Sequence, residues 1–231
     1  MASGEFRALA GAPLDRLFTL SDPLLDEGRA RLRVQQSFTA AKRFVDTTTV
    51  AELLAVIFAR DAARRALSPL LVRVHHVGFV VPEDLGVHVE WAARTTGFDL
   101  STRTVPSVVL ARELGHRLGR PVPTRIFAAT GEGAEGLPVG IEVFIPEVAP
   151  GVARAWVAQG VGVHVALELS DVAALPEARR IFESAGFAMP PFMEGRPMTN
   201  SQENVTLMYF DGAYDGRRLR VECLASSAGA D

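Results

Sequence analysis

Alternating apolar and polar positions predict three β-strands that each carry one ionisable residue. Along residues 161–167, valine or leucine occupies every second position, and His164 stands among glycine and alanine at the positions between. The strand around Glu142 and the strand around Glu222 alternate in the same way. Because successive side chains of a strand point to opposite faces, each strand has an apolar face suited to covering helices and a second face with one ionisable group.

The same succession of predicted elements occurs twice in the chain. Residues 76–98 and 164–187 each begin with His-Val, pass an acidic turn, continue as an amphipathic helix and end in Gly-Phe. The spacing from histidine to glycine is 97 − 76 = 21 residues in the first copy and 186 − 164 = 22 residues in the second. In both copies a strand, a glycine-rich turn and a glutamate-bearing strand follow, so each copy is predicted to be a β-α-β-β-β module.

The repeat predicts an α+β fold in which two pseudo-symmetric βαβββ modules form a cupped mixed sheet, with an N-terminal helical extension. A helix is expected near residues 50–67, because threonine caps precede apolar positions at helical spacing. The predicted organisation is an N-terminal extension over residues 1–70, a first module over 71–147 with a helical insertion near 107–119, a connecting segment over 148–160, a second module over 161–225 and a tail over 226–231.

Two adjacent histidines, His75 and His76, lie in the first strand of the first module. A strand places them on opposite faces, and alignment of the two copies makes His76 the equivalent of His164. The repeat therefore predicts that His76, His164, Glu142 and Glu222 line one face of the sheet. Neutral imidazole nitrogen and carboxylate oxygen suit a divalent transition metal and leave positions open for water or substrate.

Composition narrows the classes of function. The chain has 231 residues, of which 48% are hydrophobic, enough for one globular domain or two small ones. A net charge of -3 and the lack of basic runs interleaved with aromatic residues argue against a nucleic-acid partner. No apolar segment has the length of a signal or membrane span, so we expect a cytoplasmic protein with no membrane partner. Lys42 is the only lysine, which suggests a GC-rich bacterial genome, and one cysteine excludes an internal disulfide.

The paired modules, each with His-Val at the start and a glutamate on the last strand, resemble the vicinal oxygen chelate superfamily over about residues 72–225. This superfamily includes glyoxalase I, methylmalonyl-CoA epimerase, extradiol dioxygenases and fosfomycin- or bleomycin-resistance proteins. The resemblance implies one divalent metal ion (Fe, Ni, Zn, Co or Mn) held by His76, Glu142, His164 and Glu222, a small-molecule substrate and a possible homodimer. The N-terminal extension and the insertion depart from the minimal pattern and leave the substrate open.

The resemblance of all four positions to the ligands of isomerases and epimerases in the superfamily favours one chemistry. There the metal acts as a Lewis acid on a carbonyl oxygen and acidifies the neighbouring C–H bond. We expect an isomerase, epimerase or glyoxalase-type lyase that transfers a proton alpha to a carbonyl, with Glu142 or Glu222 as the mobile base.

Two other functions stay open at this point. One is a non-haem Fe(II) dioxygenase of the extradiol type that uses His76, His164 and Glu222, with Glu142 outside the metal shell. The other is a binding or resistance protein that sequesters a ligand without turnover. In the loop over residues 190–204, Arg196, Asn200 and Gln202 are candidates for substrate contacts, because loops on a rigid scaffold often select the substrate.

Overall fold

The computed structural model describes residues 13–100, 104–200 and 204–226, and its strands alternate with helices along the chain. The strands are β1 (Leu71–Val80), β2 (Asp99–Leu100), β3 (Val105–Pro106), β4 (Thr124–Glu132), β5 (Pro138–Pro146), β6 (His164–Leu169), β7 (Met198–Asn200), β8 (Val205–Tyr214) and β9 (Arg217–Ser226). The α-helices with printed bounds are α1 (Ala30–Thr47), α2 (Val50–Ile57), α3 (Asp61–Leu67), α4 (Glu83–Gly86), α5 (Val89–Thr95), α6 (Val108–Leu118), α7 (Pro150–Ala158) and α8 (Leu175–Ser184). Residues 13–18 are also helical, and 3-10 turns lie at Asp22–Leu25, Ser68–Leu70, Val172–Ala174 and Pro191–Met193.

Within the described residues the strands form a nine-stranded mixed sheet. Its order is β2-β4-β5-β1-β6-β9-β8-β7, with β3 paired to β4. In the first module β1 runs parallel to β5, and β4 runs antiparallel to β5. In the second module β6 runs parallel to β9, and β8 runs antiparallel to β9. The predicted fold of two βαβββ modules in a mixed sheet is therefore confirmed, whereas its cupped form stays a prediction.

The chain divides into two compact units. The first unit contains Leu14–Thr48 and His76–Val163, and the second contains Thr49–His75 and the chain from His164 onward. Strand β1 contributes to both, because its first five residues belong to the second unit and the remainder to the first. The N-terminal segment is likewise shared between the units at Thr49. The domain boundaries drawn from the sequence stay a prediction.

Helix α1 covers the apolar face of the sheet in the first unit. Its Phe38 packs edge-on against Phe79 of β1, with ring centroids 5.9 Å apart, and against Phe98 at 6.3 Å. Phe38 and Phe79 are fully buried. The face of β1 opposite to His76 is thus the one that the helices cover, as the alternation of the sequence predicts.

The helix predicted near residues 50–67 is interrupted in the second unit. Thr49 and Glu52 form a reciprocal capping box at the start of α2. The helix ends at Ile57, and Phe58 has extended backbone angles (φ −113°, ψ 112°). Its ring packs against Phe182 and Phe187, with centroids 5.1 and 6.0 Å away. Burial of this aromatic ring against α8 accounts for the break that local periodicity did not predict.

Helix α6 occupies the insertion between the short strands and β4. Ser107 accepts a hydrogen bond from the backbone N–H of Leu110, and Gly119 ends the helix with a left-handed φ of 65°. No helix in the parts of the chain that the structure describes is both long and apolar enough to cross a bilayer.

Candidate metal centre

The first unit brings together one histidine and one glutamate on neighbouring parallel strands. Glu142 of β5 lies opposite Gly78 of β1, the second residue after His76. Since Gly78 and His76 share a face of β1, the two ionisable side chains project on the same side of the sheet. Their closest atoms, His76 Nε2 and Glu142 Oε2, are 3.6 Å apart. The His76 side chain is buried, whereas 20% of the Glu142 side chain is exposed.

The second unit repeats this arrangement. Glu222 of β9 lies opposite Ala166 of β6, which is again the second residue after the histidine, His164. The distance from His164 Nε2 to Glu222 Oε2 is 3.3 Å, and both side chains are at most 4% exposed. A carboxylate is costly to bury unless a partner compensates its charge, so this pair marks a position with a specific purpose.

The donor atoms fit a transition-metal ion. His76, His164 and Glu222 are all buried, and they offer imidazole nitrogen and carboxylate oxygen, which Fe, Co, Ni, Mn and Zn accept as ligands. The small residues Gly78 and Ala166 stand opposite the two glutamates and leave the carboxylates space. The structure thus pairs His76 with Glu142 and His164 with Glu222. Coordination of one ion by all four residues stays a prediction.

Tyr209 lies beside the pair of the second unit, and the sequence analysis missed it. On β8 it lies directly opposite Glu222. Its ring meets the His164 ring edge-on, with centroids 5.6 Å apart and planes at 83°. The signal that could have found it is Asp215-Gly216, since such a dipeptide favours a two-residue hairpin turn, which fixes the register of β8 against β9.

A buried arginine completes the surroundings of Glu222. Arg220, two residues earlier on β9, donates to both carboxylate oxygens of Asp211 at 2.8 and 3.2 Å. Arg218 donates to the same carboxylate at 2.6 Å. The Arg220 guanidinium also lies 5.1 Å from the ring centroid of Phe192 and 5.4 Å from that of Tyr209. The geometry is the two-pronged pairing that planar guanidinium groups make with carboxylates.

The ionisation of Asp211 reflects this setting. Burial alone would raise the pKa of its carboxyl group, but the hydrogen bonds and charges of Arg220 and Arg218 outweigh that effect. The pKa of Asp211 is therefore below its ordinary value of 3.8. Asp211 is a carboxylate at neutral pH, and it neutralises part of the positive charge on β9.

The loop candidates for substrate contact are less defined. The Arg196 side chain is 72% exposed and donates to Glu194 at 3.2 Å. Asn200 ends β7 and lies opposite Val205 of β8. Gln202 lies outside the described residues. Contact of these three residues with a substrate stays a prediction.

A cavity of about 850 Å³ lies elsewhere in the second unit. Its walls come from α3, α8 and the residues after them, with Phe58 and Phe187 among its apolar lining and Arg60 and Arg180 among its polar lining. None of the four predicted metal ligands lines it. The cavity is therefore no support for the candidate metal centre, which depends on the register of the strands.

No family model and no curated protein matches the chain. Several solved structures are similar to it. A methylmalonyl-CoA epimerase variant from Streptomyces coelicolor, in complex with 2-nitronate-propionyl-CoA, covers 68% of this chain and 99% of its own at 19% identity and a TM-score of 0.45. Methylmalonyl-CoA epimerase from Mycobacterium tuberculosis covers 68% and 90% at 18% identity and a TM-score of 0.43. A mutant of 4-hydroxymandelate synthase from Streptomyces coelicolor covers 71% and 51% at 12% identity and a TM-score of 0.48.

These structures belong to the vicinal oxygen chelate superfamily, the one that the sequence motifs resemble. Identities below 20% and TM-scores below 0.5 make the likeness a distant one. The assignment of the fold therefore rests on the strand order and on the matching registers of the two modules. The activity has to be argued from the residues of the site.

Proposed function

We propose that the protein is a metal-dependent enzyme that transfers a proton alpha to a carbonyl group of a small molecule, as an isomerase, epimerase or glyoxalase-type lyase does. One divalent ion (Fe, Ni, Zn, Co or Mn) would be held by His76, Glu142, His164 and Glu222. The observation that carries this proposal is the duplicated pair: in both units a glutamate lies opposite the second residue after a histidine. The two pairs have distances of 3.6 and 3.3 Å.

The residues of the chain divide the work as follows in this proposal. A bound divalent ion supplies Lewis acidity toward the carbonyl oxygen of the substrate. Glu142, the more exposed of the two carboxylates, takes the proton from the substrate carbon and returns it during the second half of the reaction. Glu222 is buried beside His164 and keeps its position as a ligand. The buried imidazoles exclude water from the base.

Exchange of the substrate's carbon-bound hydrogen tests this function. The purified protein, loaded with one of the five metals at a time, is mixed in deuterium oxide with small α-hydroxy ketones, 2-oxo acids and branched thioesters. We expect loss of the alpha-proton signal in NMR spectra for one substrate class. The exchange should stop when a chelator removes the ion. Exchange that survives the chelator would contradict the proposal.

A second function is favoured by a specific difference in burial. His76, His164 and Glu222 are each 2–3% exposed, while the Glu142 side chain is 20% exposed. Two histidines and one carboxylate form the ligand set of non-haem Fe(II) oxygenases. In this alternative Glu142 stands outside the metal shell, and the protein consumes dioxygen with catechol-like substrates. An oxygen electrode and anaerobic loading with Fe(II) distinguish it from the proton-transfer enzyme.

Three other expectations are carried as proposals. We propose a cytoplasmic location, a bacterial source and a small-molecule substrate, and a homodimer is the quaternary state to test first. Light scattering on the eluting protein gives the mass, which is 24.8 kDa for one chain. A mass of twice this value would support the dimer, and the mass of one chain would contradict it.

A further inference from the structure

The two units present different side chains at equivalent positions beside the candidate ligands. In the second unit Tyr209 lies opposite Glu222, and Asp211 lies opposite Arg220. Tyr209 is 5% exposed and Arg220 is 3% exposed, and Phe192 packs within reach of both. This half of the ligand-bearing face is filled by two aromatic rings and an ion pair.

The first unit has small residues at the matching positions. Ala128 lies opposite Glu142, and Thr130 lies opposite Gly140. By their place relative to the glutamate, Ala128 corresponds to Tyr209, Gly140 to Arg220 and Thr130 to Asp211. Ala128 and Gly140 are partly exposed and Thr130 is exposed. The face that is filled in the second unit is therefore open in the first.

The open half also differs in charge. Ala128, Thr130 and Gly140 carry no ionisable group, and Ile126 and Phe144 extend the same face as a buried apolar pair. Its charged neighbour is the carboxylate of Glu142, which would repel an anion. In the second unit, by contrast, the guanidinium of Arg220 is already bound to Asp211. An uncharged apolar group is the kind of ligand that the open half accommodates without burying an uncompensated charge.

We propose that the non-reacting part of the substrate lies over Ala128, Thr130 and Gly140 of the first unit, and that it is an uncharged apolar body. This inference rests on the proposed metal site, which would hold the oxygen atoms of the substrate. Ala128 and Thr130 are then residues that determine specificity. The filled half of the second unit acts as a fixed wall, with Tyr209 against His164.

Binding of three hydroxamates to the cobalt(II)-loaded protein tests the inference without a known substrate. Acetohydroxamate carries only a methyl group, benzohydroxamate adds an apolar ring, and 4-carboxybenzohydroxamate adds a charge to that ring. Affinities are measured from the visible absorption of the bound cobalt. We expect benzohydroxamate to bind about tenfold more tightly than acetohydroxamate, because the ring buries apolar area, and the carboxylated ring to lose this gain.

Variants locate the ring. Ala128→Leu should weaken benzohydroxamate binding about tenfold or more and leave acetohydroxamate binding unchanged, because the added side chain occupies the place of the ring. Thr130→Leu is a second variant at the same surface, for use if the first does not fold. Ala213→Leu is the matched control: it makes the same change at an exposed position on β8 in the second unit. It should change neither affinity.

The outcomes separate the inference from the function beneath it. If cobalt does not bind to the wild-type protein, the proposed metal site fails, and the inference falls with it. If cobalt binds but the three hydroxamates have equal affinities, or if both substitutions on the first unit leave the preference for benzohydroxamate intact, the inference alone is overturned. A preference that Ala128→Leu removes and Ala213→Leu retains supports it.

Discussion

The two units share one arrangement of histidine and glutamate and differ in what surrounds it. In the first unit His76 and Glu142 have alanine, threonine and glycine as neighbours on the face, and Glu142 is partly exposed. In the second unit His164 and Glu222 are buried beside Tyr209 and a bound arginine. The comparison teaches that strand register alone fixes the spacing of each pair. The residues next to the pair then decide whether that half of the face is open or closed.

The largest expected effect concerns which unit supplies the base. Glu142→Gln should lower the rate of hydrogen exchange at the substrate carbon by about a hundredfold to ten-thousandfold, which is the range for loss of general base catalysis, and should retain some bound metal. Glu222→Gln should lower both the rate and the metal content, because the buried carboxylate is a ligand in the account. NMR exchange and elemental analysis are measured on the same samples. Retained exchange in Glu142→Gln would assign the base to the other unit.

The second prediction compares the stability of equivalent positions. Asp211→Ala should lower the free energy of unfolding by about 3 kcal/mol, because it leaves the buried guanidinium of Arg220 without its carboxylate. Thr130→Ala, at the matching position of the first unit, should cost less than about 1 kcal/mol, because the side chain is exposed. Urea denaturation followed by circular dichroism measures both. Equal losses would show that the two halves of the face do not differ in this way.

The third prediction uses the pH dependence of the same ion pair. The pKa of Asp211 is lowered by Arg220 and Arg218 from its ordinary value of 3.8. The stability that this group contributes is complete above the unfolded-state pKa and is lost as the pH falls through the lower folded-state pKa. Between about pH 5 and 2, the wild-type protein should therefore lose more stability than Asp211→Asn. Urea titrations at several pH values that give parallel losses for the two proteins would contradict this.

The smallest effect is expected where the units are alike. Cys223 follows Glu222 as Val143 follows Glu142, and both side chains are buried on the apolar face. Burial raises the pKa of the Cys223 thiol, and the Glu222 carboxylate raises it further, so the thiol is protonated and behaves as a small apolar group. Cys223→Val should change the free energy of unfolding by about 1 kcal/mol or less. A loss of several kcal/mol in urea denaturation would show that the thiol has a specific role.

Much of the fold could be predicted from the sequence because the side-chain period of a strand is two. His164 and Glu222 each stand on the polar face of an alternating segment, and the repeat extends that assignment to His76 and Glu142. The parallel pairings that set Gly78 opposite Glu142 and Ala166 opposite Glu222 follow the same repeat.

The surroundings of the pairs were harder to predict for a physical reason. The Asp215-Gly216 turn joins β8 to β9 with two residues of positive φ and fixes Tyr209 opposite Glu222. The turn between β4 and β5 has five residues, a length that permits several registers, so the position of Ala128 opposite Glu142 does not follow from the sequence. The break at Phe58 depends on Phe182 and Phe187, which are distant in the chain.

Metal binding by the wild-type protein and by three histidine variants tests the central claim most directly. Equilibrium dialysis against cobalt(II), followed by elemental analysis, should find one ion per wild-type chain. His76→Ala and His164→Ala should each lower the affinity by about a hundredfold or more, whereas His75→Ala, on the opposite face of β1, should bind as the wild type does. A wild-type protein without a bound ion, or a His76→Ala variant that binds as tightly as His75→Ala, would contradict the account.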